Sequence, residues 1–151
     1  MKKTLFAIAL LLVTFITVDA SATKPIKAKE IYKIVTAEEV QALQKEHSDL
    51  VIIDARGAKY FDGTVIKGAK HLSVSGISSE SLAKIAPNKE APIVLYCSNE
   101  NCGASSKAAH KTVLAGYAKL YKYKAGIEDW IAKKLPTEKL SHAKGDYKYA
   151  Y

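Results

Sequence analysis

The stretch from Pro92 to Ala109, PIVLYCSNENCGASSKAA, constrains the fold more than any other part of the chain. Ile93 to Tyr96 is a short, unbroken apolar run rich in strand formers, the pattern of a strand buried on both faces. It stops at Cys97. A small, polar, glycine-containing loop follows, and Ser105-Ser106 then head an alanine-rich helical pattern, Lys107 to Ala115, as serine does at helix starts. A strand end leading through a loop to the positive end of a helix is where open α/β sheets bind ligands. The backbone N–H groups of Ser98, Asn99, Glu100, Asn101, Gly103, Ala104 and Ser105 can converge there on one anion. A thiol held among them is expected to be more acidic than a free cysteine, and a better nucleophile at neutral pH.

Strands alternate with helices along the rest of the chain. Ile31 to Val35 reads as a strand, and Thr36-Ala37-Glu38-Glu39 as a capping box opening a helix to about His47, with Val40 and Leu43 inward. Leu50 to Ile53 is an apolar strand ending at Asp54. Ala58 to Asp62 suits a short helix, Gly63 a turn and Ala69 to Ser73 a weak strand. Ser78 caps a helix carrying Leu82 and Ile85, closed by Pro87. Gly116 ends the helix after the cysteine loop. Leu120 to Tyr123 is a fifth strand and Ile127 to Lys134 a last helix, stopped before Pro136. This order implies an α/β fold of three layers, a mostly parallel five-stranded sheet with helices on both faces.

Three stretches, in order, resemble one family. Cys97 at a strand end, the loop to Ser105, Lys107-Ala108-Ala109 and Gly116-Tyr117 are similar to the active-site loop of rhodanese-like sulfurtransferases. Val51 to Ser73 (VIIDARGAKYFDGTVIKGAKHLS) is similar to the family's aspartate-x-arginine strand end and its "GxIxGAxxL" turn, with one extra residue between Gly63 and Ile66. Lys124 to Glu138 (KAGIEDWIAKKLPTE) is similar to its closing glycine, tryptophan and proline. The resemblance spans about Ile31 to Glu138 and implies a single-domain sulfurtransferase. It differs in the loop, which is two residues longer between cysteine and serine, has no arginine, and holds a second cysteine, Cys102, in a Cys-x4-Cys spacing.

Met1-Lys2-Lys3, the apolar run Leu5 to Val18 and the small-residue sites ending at Ala20 and Ala22 read as a secretory signal peptide, residues 1–22, too short for a spanning helix. Residues 23–30 read as a linker, 31–138 as the domain and 139–151 as a polar, tyrosine-bearing tail. A periplasmic or secreted monomer, without a stable membrane anchor, is expected. The formal charge is +8, but its lysines are spread along the chain and Arg56 is the only arginine. That reads as a solvated surface that attracts small anions, not as a nucleic-acid footprint.

The chemistry then centres on Cys97 as a nucleophile that takes sulfane sulfur from a small anionic donor, thiosulfate or polysulfide, and passes it to a thiol or protein acceptor. No cofactor is called for, and two cysteines alone lack the ligands of a metal site, which takes about four for zinc. Cys102 has three open readings: a thiol that resolves a persulfide, a more exposed sulfur acceptor, or an incidental loop cysteine. The pair could also form a static disulfide, although a ring this small constrains the unfolded chain little. Arg56 ends its strand on the same rim and either serves the site, holding an anionic substrate or bracing the loop, or makes a structural ion pair with a carboxylate. His71, His110 and Trp130 read as structural or surface residues. Two other function classes stay open: a thiol–disulfide or polysulfide redox protein using both cysteines, and a non-catalytic binding module.

Overall fold

A computed structural model describes residues 31–140. The expected signal peptide, the linker and all but the first two residues of the tail lie outside the described residues. Seven strands and four helices alternate: β1 Lys33–Val35, α1 Ala37–Glu46, β2 Val51–Asp54, β3 Thr64–Ile66, β4 Lys70–His71, α2 Ser79–Ile85, β5 Ile93–Tyr96, α3 Ala104–Leu114, β6 Leu120–Tyr123, α4 Gly126–Ala132 and β7 Thr137–Lys139. Five strands form one sheet in the order β1-β6-β5-β2-β4. Every pairing within it is parallel. The expected fold class is therefore the observed one.

β5 is the central strand because its side chains serve both faces. Ile93 and Leu95 enter the core beneath α2 and α3, with Ile53, Leu82, Ala108 and Ala109. Val94 and Tyr96 enter the core beneath α1 and α4, with Val40, Ile52, Ile127 and Trp130. All four β5 residues are fully buried. Burying each aliphatic side chain stabilises the fold by about 1.5–3 kcal/mol, so the strand end that carries Cys97 is among the most firmly held points of the molecule.

The expected helix starts hold for α1 and α2. Thr36 and Glu39 close a capping box on α1, and Ser78 with Ser81 closes one on α2. Gly116, at φ +89°, follows the C-cap of α3 in the left-handed conformation that glycine adopts without steric cost.

Three details differ from the sequence reading. The helix expected over Ala58–Asp62 is only a 3₁₀ turn, Ala58–Tyr60. α3 begins at Ala104, three residues before the expected Lys107, with Gly103 as N-cap and no side-chain cap. The serines at its head therefore do not cap it. A separate two-stranded antiparallel ribbon, β3 with β7, was not expected. Its strands are three residues each, too short to carry an alternating pattern, and their pairing joins segments more than seventy residues apart.

Candidate active site

Parallel pairing places the ends of β2 and β5 side by side, with Asp54 opposite Tyr96. Past β2, Asp54 and Arg56 are both buried. Arg56 Nε donates to Asp54 Oδ1 and Oδ2 at 3.1 and 3.0 Å, and Nη2 donates to Oδ2 at 2.7 Å. Nη2 also reaches the Thr64 carbonyl at 2.5 Å, and Nη1 the Tyr60 carbonyl at 3.2 Å and Asp62 at 3.5 Å. Burial acts to lower the guanidinium's pKa, but the Asp54 hydrogen bonds and charge outweigh it and raise it above the ordinary value. Of the two sequence readings, the structure supports the ion pair. The expectation that Arg56 binds substrate is corrected, because its donors face inward and are engaged by protein oxygens. His71 accordingly has a structural place, with Nε2 2.8 Å from the Arg56 carbonyl and its ring stacked on Phe61.

Past β5 the chain does something different. Cys97 is only 1 % exposed. Its Sγ lies 3.2 Å from the Cys102 carbonyl, to which its S–H can donate, 3.8 Å from the Asn99 carbonyl and 3.5 Å from Ser105 Oγ. Ser105, itself 1 % exposed, also turns its backbone N–H toward this sulfur. Cys102 is less buried, and both cysteines are free thiols.

The two sulfurs face each other, and the loop amides are divided between them. The N–H groups of Ala104 and Ser98 are directed at Cys102 Sγ, and the Cys97 thiol lies beside it. Asn101 N–H turns back to Asn99 Oδ1 at 3.1 Å, and Cys102 N–H to the Asn99 carbonyl at 3.2 Å. Asn99 Nδ2 in turn donates to Glu128 at 2.9 Å. Glu100, Asn101 and Gly103 are exposed on the outside of the turn. The Ser98 and Ala104 amides are thus directed at the second cysteine and the Ser105 amide at the first.

This division corrects the acidity expected for Cys97. Burial pushes the Cys97 thiol up, and its bond toward Cys102 reinforces that shift. Burial acts in the same sense on Cys102, but hydrogen bonds from Cys97, Ala104 and Ser98 outweigh it and bring that thiol below the ordinary value. The two thiols interact closely enough to lose their protons as a pair, with the hydrogen bonds favouring the anion on Cys102.

α4 fixes the loop from below. Ile127 N–H donates to the Cys97 carbonyl at 2.9 Å, and Glu128 N–H to the Ser98 carbonyl at 3.0 Å. The approach is possible because residue 126 is glycine. At its φ of +74°, a Cβ would sit 2.5 Å from the Cys97 carbonyl oxygen and 2.6 Å from that of Ser98. Sequence reasoning matched Gly126 to a family signature but missed this positioning role. The only signal was its place in that signature.

Beside the loop, a cleft of ≈ 460 Å³ is lined by Gly57, Ser73, Ser75, Ala104, Lys107 and Lys111, among others. Lys111 Nζ is anchored on the Val74 carbonyl at 2.8 Å. His110 is exposed and Trp130 is core, as expected. Among the described residues, no group of three or more His, Cys, Asp or Glu could hold a metal ion.

A family model described as rhodanese-like domain matches residues 36–133. Among solved structures, the BH2092 protein of Bacillus halodurans is similar at 22% identity and a TM-score of 0.63, covering 72% of this chain and 77% of that one. A polysulfide-sulfur transferase homodimer from Wolinella succinogenes is similar at 26% identity and a TM-score of 0.57, covering 79% and 87%. A thiosulfate sulfurtransferase from Pseudomonas aeruginosa is similar at 22% identity and a TM-score of 0.58, covering 72% of this chain but 20% of that one. The comparison with curated proteins found no match.

Proposed function

The chain belongs to the rhodanese-like domain family, and from that premise we propose that it is an exported sulfurtransferase working through a persulfide on Cys97. The observation that carries this reading is the position of Cys97 Sγ at the carboxyl end of β5, facing the first turn of α3 and the Ser105 N–H and Oγ. Those donors favour the anionic sulfur that burial opposes. The cleft beside the loop, with Lys107 and Lys111 on its wall, suits a small anion in size and sign. Similarity to proteins named as thiosulfate and polysulfide sulfur transferases supports the same donor class.

The reaction has two displacements. Cys97 thiolate attacks the sulfane sulfur of the donor, forming a Cys97 S–S bond, and the rest of the donor leaves with the bonding electron pair, as sulfite from thiosulfate or as a polysulfide one atom shorter. An acceptor thiolate then attacks the outer sulfur, and Cys97 leaves as thiolate. Because Cys97 is covered by the Asn99–Gly103 turn, the donor enters when that turn opens locally.

Sulfite release from thiosulfate, or shortening of an inorganic polysulfide, reports the first displacement whatever follows it. Cys97→Ser is expected to slow this step on the order of a thousand-fold or more. Undiminished release would take the first displacement away from Cys97. Export rests on the N-terminal segment, and amino-terminal sequencing of the mature protein is expected to start at Ser21 or Thr23. A start at Met1 in the exported fraction would refute cleavage.

A further inference from the structure

The Cys97 chemistry leaves one reactive group unused, the thiol of Cys102. Three observations give it a direction. The sulfur of Cys102 is the one enclosed by the Ser98 and Ala104 amides. The Cys102 backbone carbonyl lies 3.2 Å from Cys97 Sγ, so the two cysteines sit against each other within the loop. The turn that carries it is tied at both ends of Asn99, through the Asn101 and Cys102 amides on one side and Glu128 on the other. An incidental loop cysteine needs none of this. A static bridge is also not what the loop holds, since both thiols are free.

We propose that Cys102 is the resolving thiol of this site: its thiolate attacks Cys97 Sγ once that atom carries a persulfide, expelling hydrosulfide and leaving a Cys97–Cys102 disulfide. The inference rests on the Cys97 persulfide of the preceding section. The balance is closed. The Sγ–Sγ bond forms while the bond from Cys97 Sγ to the outer sulfur breaks. The outer sulfur takes the bonding pair and leaves as hydrosulfide, reduced to sulfide, while the two cysteine sulfurs are oxidised to the disulfide. A dithiol reductant restores both thiols by ordinary exchange. The Ser98 and Ala104 amides directed at Cys102 favour its thiolate, the form that attacks.

The consequence is a change of reaction class. With a thiol acceptor the domain transfers sulfur. Without one, it reduces sulfane sulfur to sulfide at the expense of a dithiol, so its substrate class widens to inorganic polysulfides and protein or small-molecule persulfides.

Anaerobic single-turnover experiments test this. Reduced full-length protein is mixed with inorganic tetrasulfide, quenched with an alkylating agent and read by intact and peptide mass, with hydrosulfide measured in parallel. The wild type is expected to release hydrosulfide and form the Cys97–Cys102 disulfide in equal amounts. Cys102→Ser and Cys102→Ala are expected to carry one added sulfur on Cys97 and to hold it about ten-fold longer or more. Equal persulfide lifetimes in wild type and variants, with no disulfide, overturn the resolving role and leave the sulfurtransferase reading standing. Folded Cys102 variants that never gain a sulfur overturn the persulfide reading, and the inference with it. An added sulfur found on Cys102 in Cys97→Ser overturns the assigned direction.

Discussion

β2 and β5 deliver their ends to the same rim of the sheet, one strand apart in register, yet the two ends are built from opposite materials. β2 ends in the strongest charges of the interior, Asp54 and Arg56, and each is saturated by oxygen or nitrogen partners. β5 leads into a loop with two thiols, weak donors and weak acceptors, and Cys97 Sγ meets only neutral oxygens, at 3.2 to 3.8 Å. A buried charge without partners is very costly, so evolution of a stable rim leaves charged groups no freedom to meet a ligand. A neutral thiol is cheap to bury and can be left partly unsatisfied. The scaffold is therefore where the charges are, and the chemistry is where they are not.

This contrast can be broken most directly at Arg56. Arg56→Ala leaves Asp54 buried and unpaired, and is expected to cost about 3–5 kcal/mol of stability by thermal or denaturant unfolding. Arg56→Lys is expected to recover little, since one ammonium cannot replace the planar fork. A normally stable Arg56→Ala protein that fails to take up sulfur would move Arg56 into the site and erase the distinction.

Gly126 joins the two regions through α4, and its replacement gives the next largest effect. Gly126→Ala forces a side chain into the left-handed region, worth about 1–3 kcal/mol, and drives it into the Cys97 and Ser98 carbonyls. Lower melting temperature together with altered thiol reactivity is expected. Melting loss with unchanged thiol chemistry would separate α4 from the loop.

The smallest effects sharpen the division within the loop itself. The Cys102 thiolate forms below the ordinary thiol pKa and the Cys97 thiolate above it. Alkylation near neutral pH, followed by mass mapping, is therefore expected to label Cys102 ahead of Cys97 by about ten-fold. Cys97 catches up as pH rises past the ordinary thiol value. Asn99→Ala, which unties the turn, is expected to raise Cys97 labelling about ten-fold, in line with the two side-chain hydrogen bonds it loses. Reversed order would mean that the amides serve Cys97.

Much of this was readable in the chain. The capping boxes at Thr36 and Ser78 locate two helices because a cap is a local interaction between residues three apart. The apolar run before Cys97 locates the central strand because burial on both faces removes polar positions. The β3–β7 ribbon was not readable, since Val65 pairs with Glu138 across most of the domain. In the loop, residue types identified a thiol and a set of amides, but not which amide faces which sulfur. Arg56 shows the same boundary: an ion pair was legible without its partner, while the pairing with Asp54 and the engagement of the Tyr60 and Thr64 carbonyls depend on how the chain beyond Gly57 folds back.

The sequence by itself determined the α/β fold, the central strand, and the placement of Cys97 and Cys102 in one loop between that strand and a helix. These follow from local propensity and from the period of apolar residues, which act over a few positions. Only the tertiary structure decided that the Ser98 and Ala104 amides are directed at Cys102, that Cys97 is the more buried and less acidic thiol, that Arg56 is scaffold, and that Gly126 lets α4 grip the loop. Each of those depends on where distant backbone N–H and C=O groups come to rest. Those positions are set by packing the whole domain, because every buried donor and acceptor must find its partner at once.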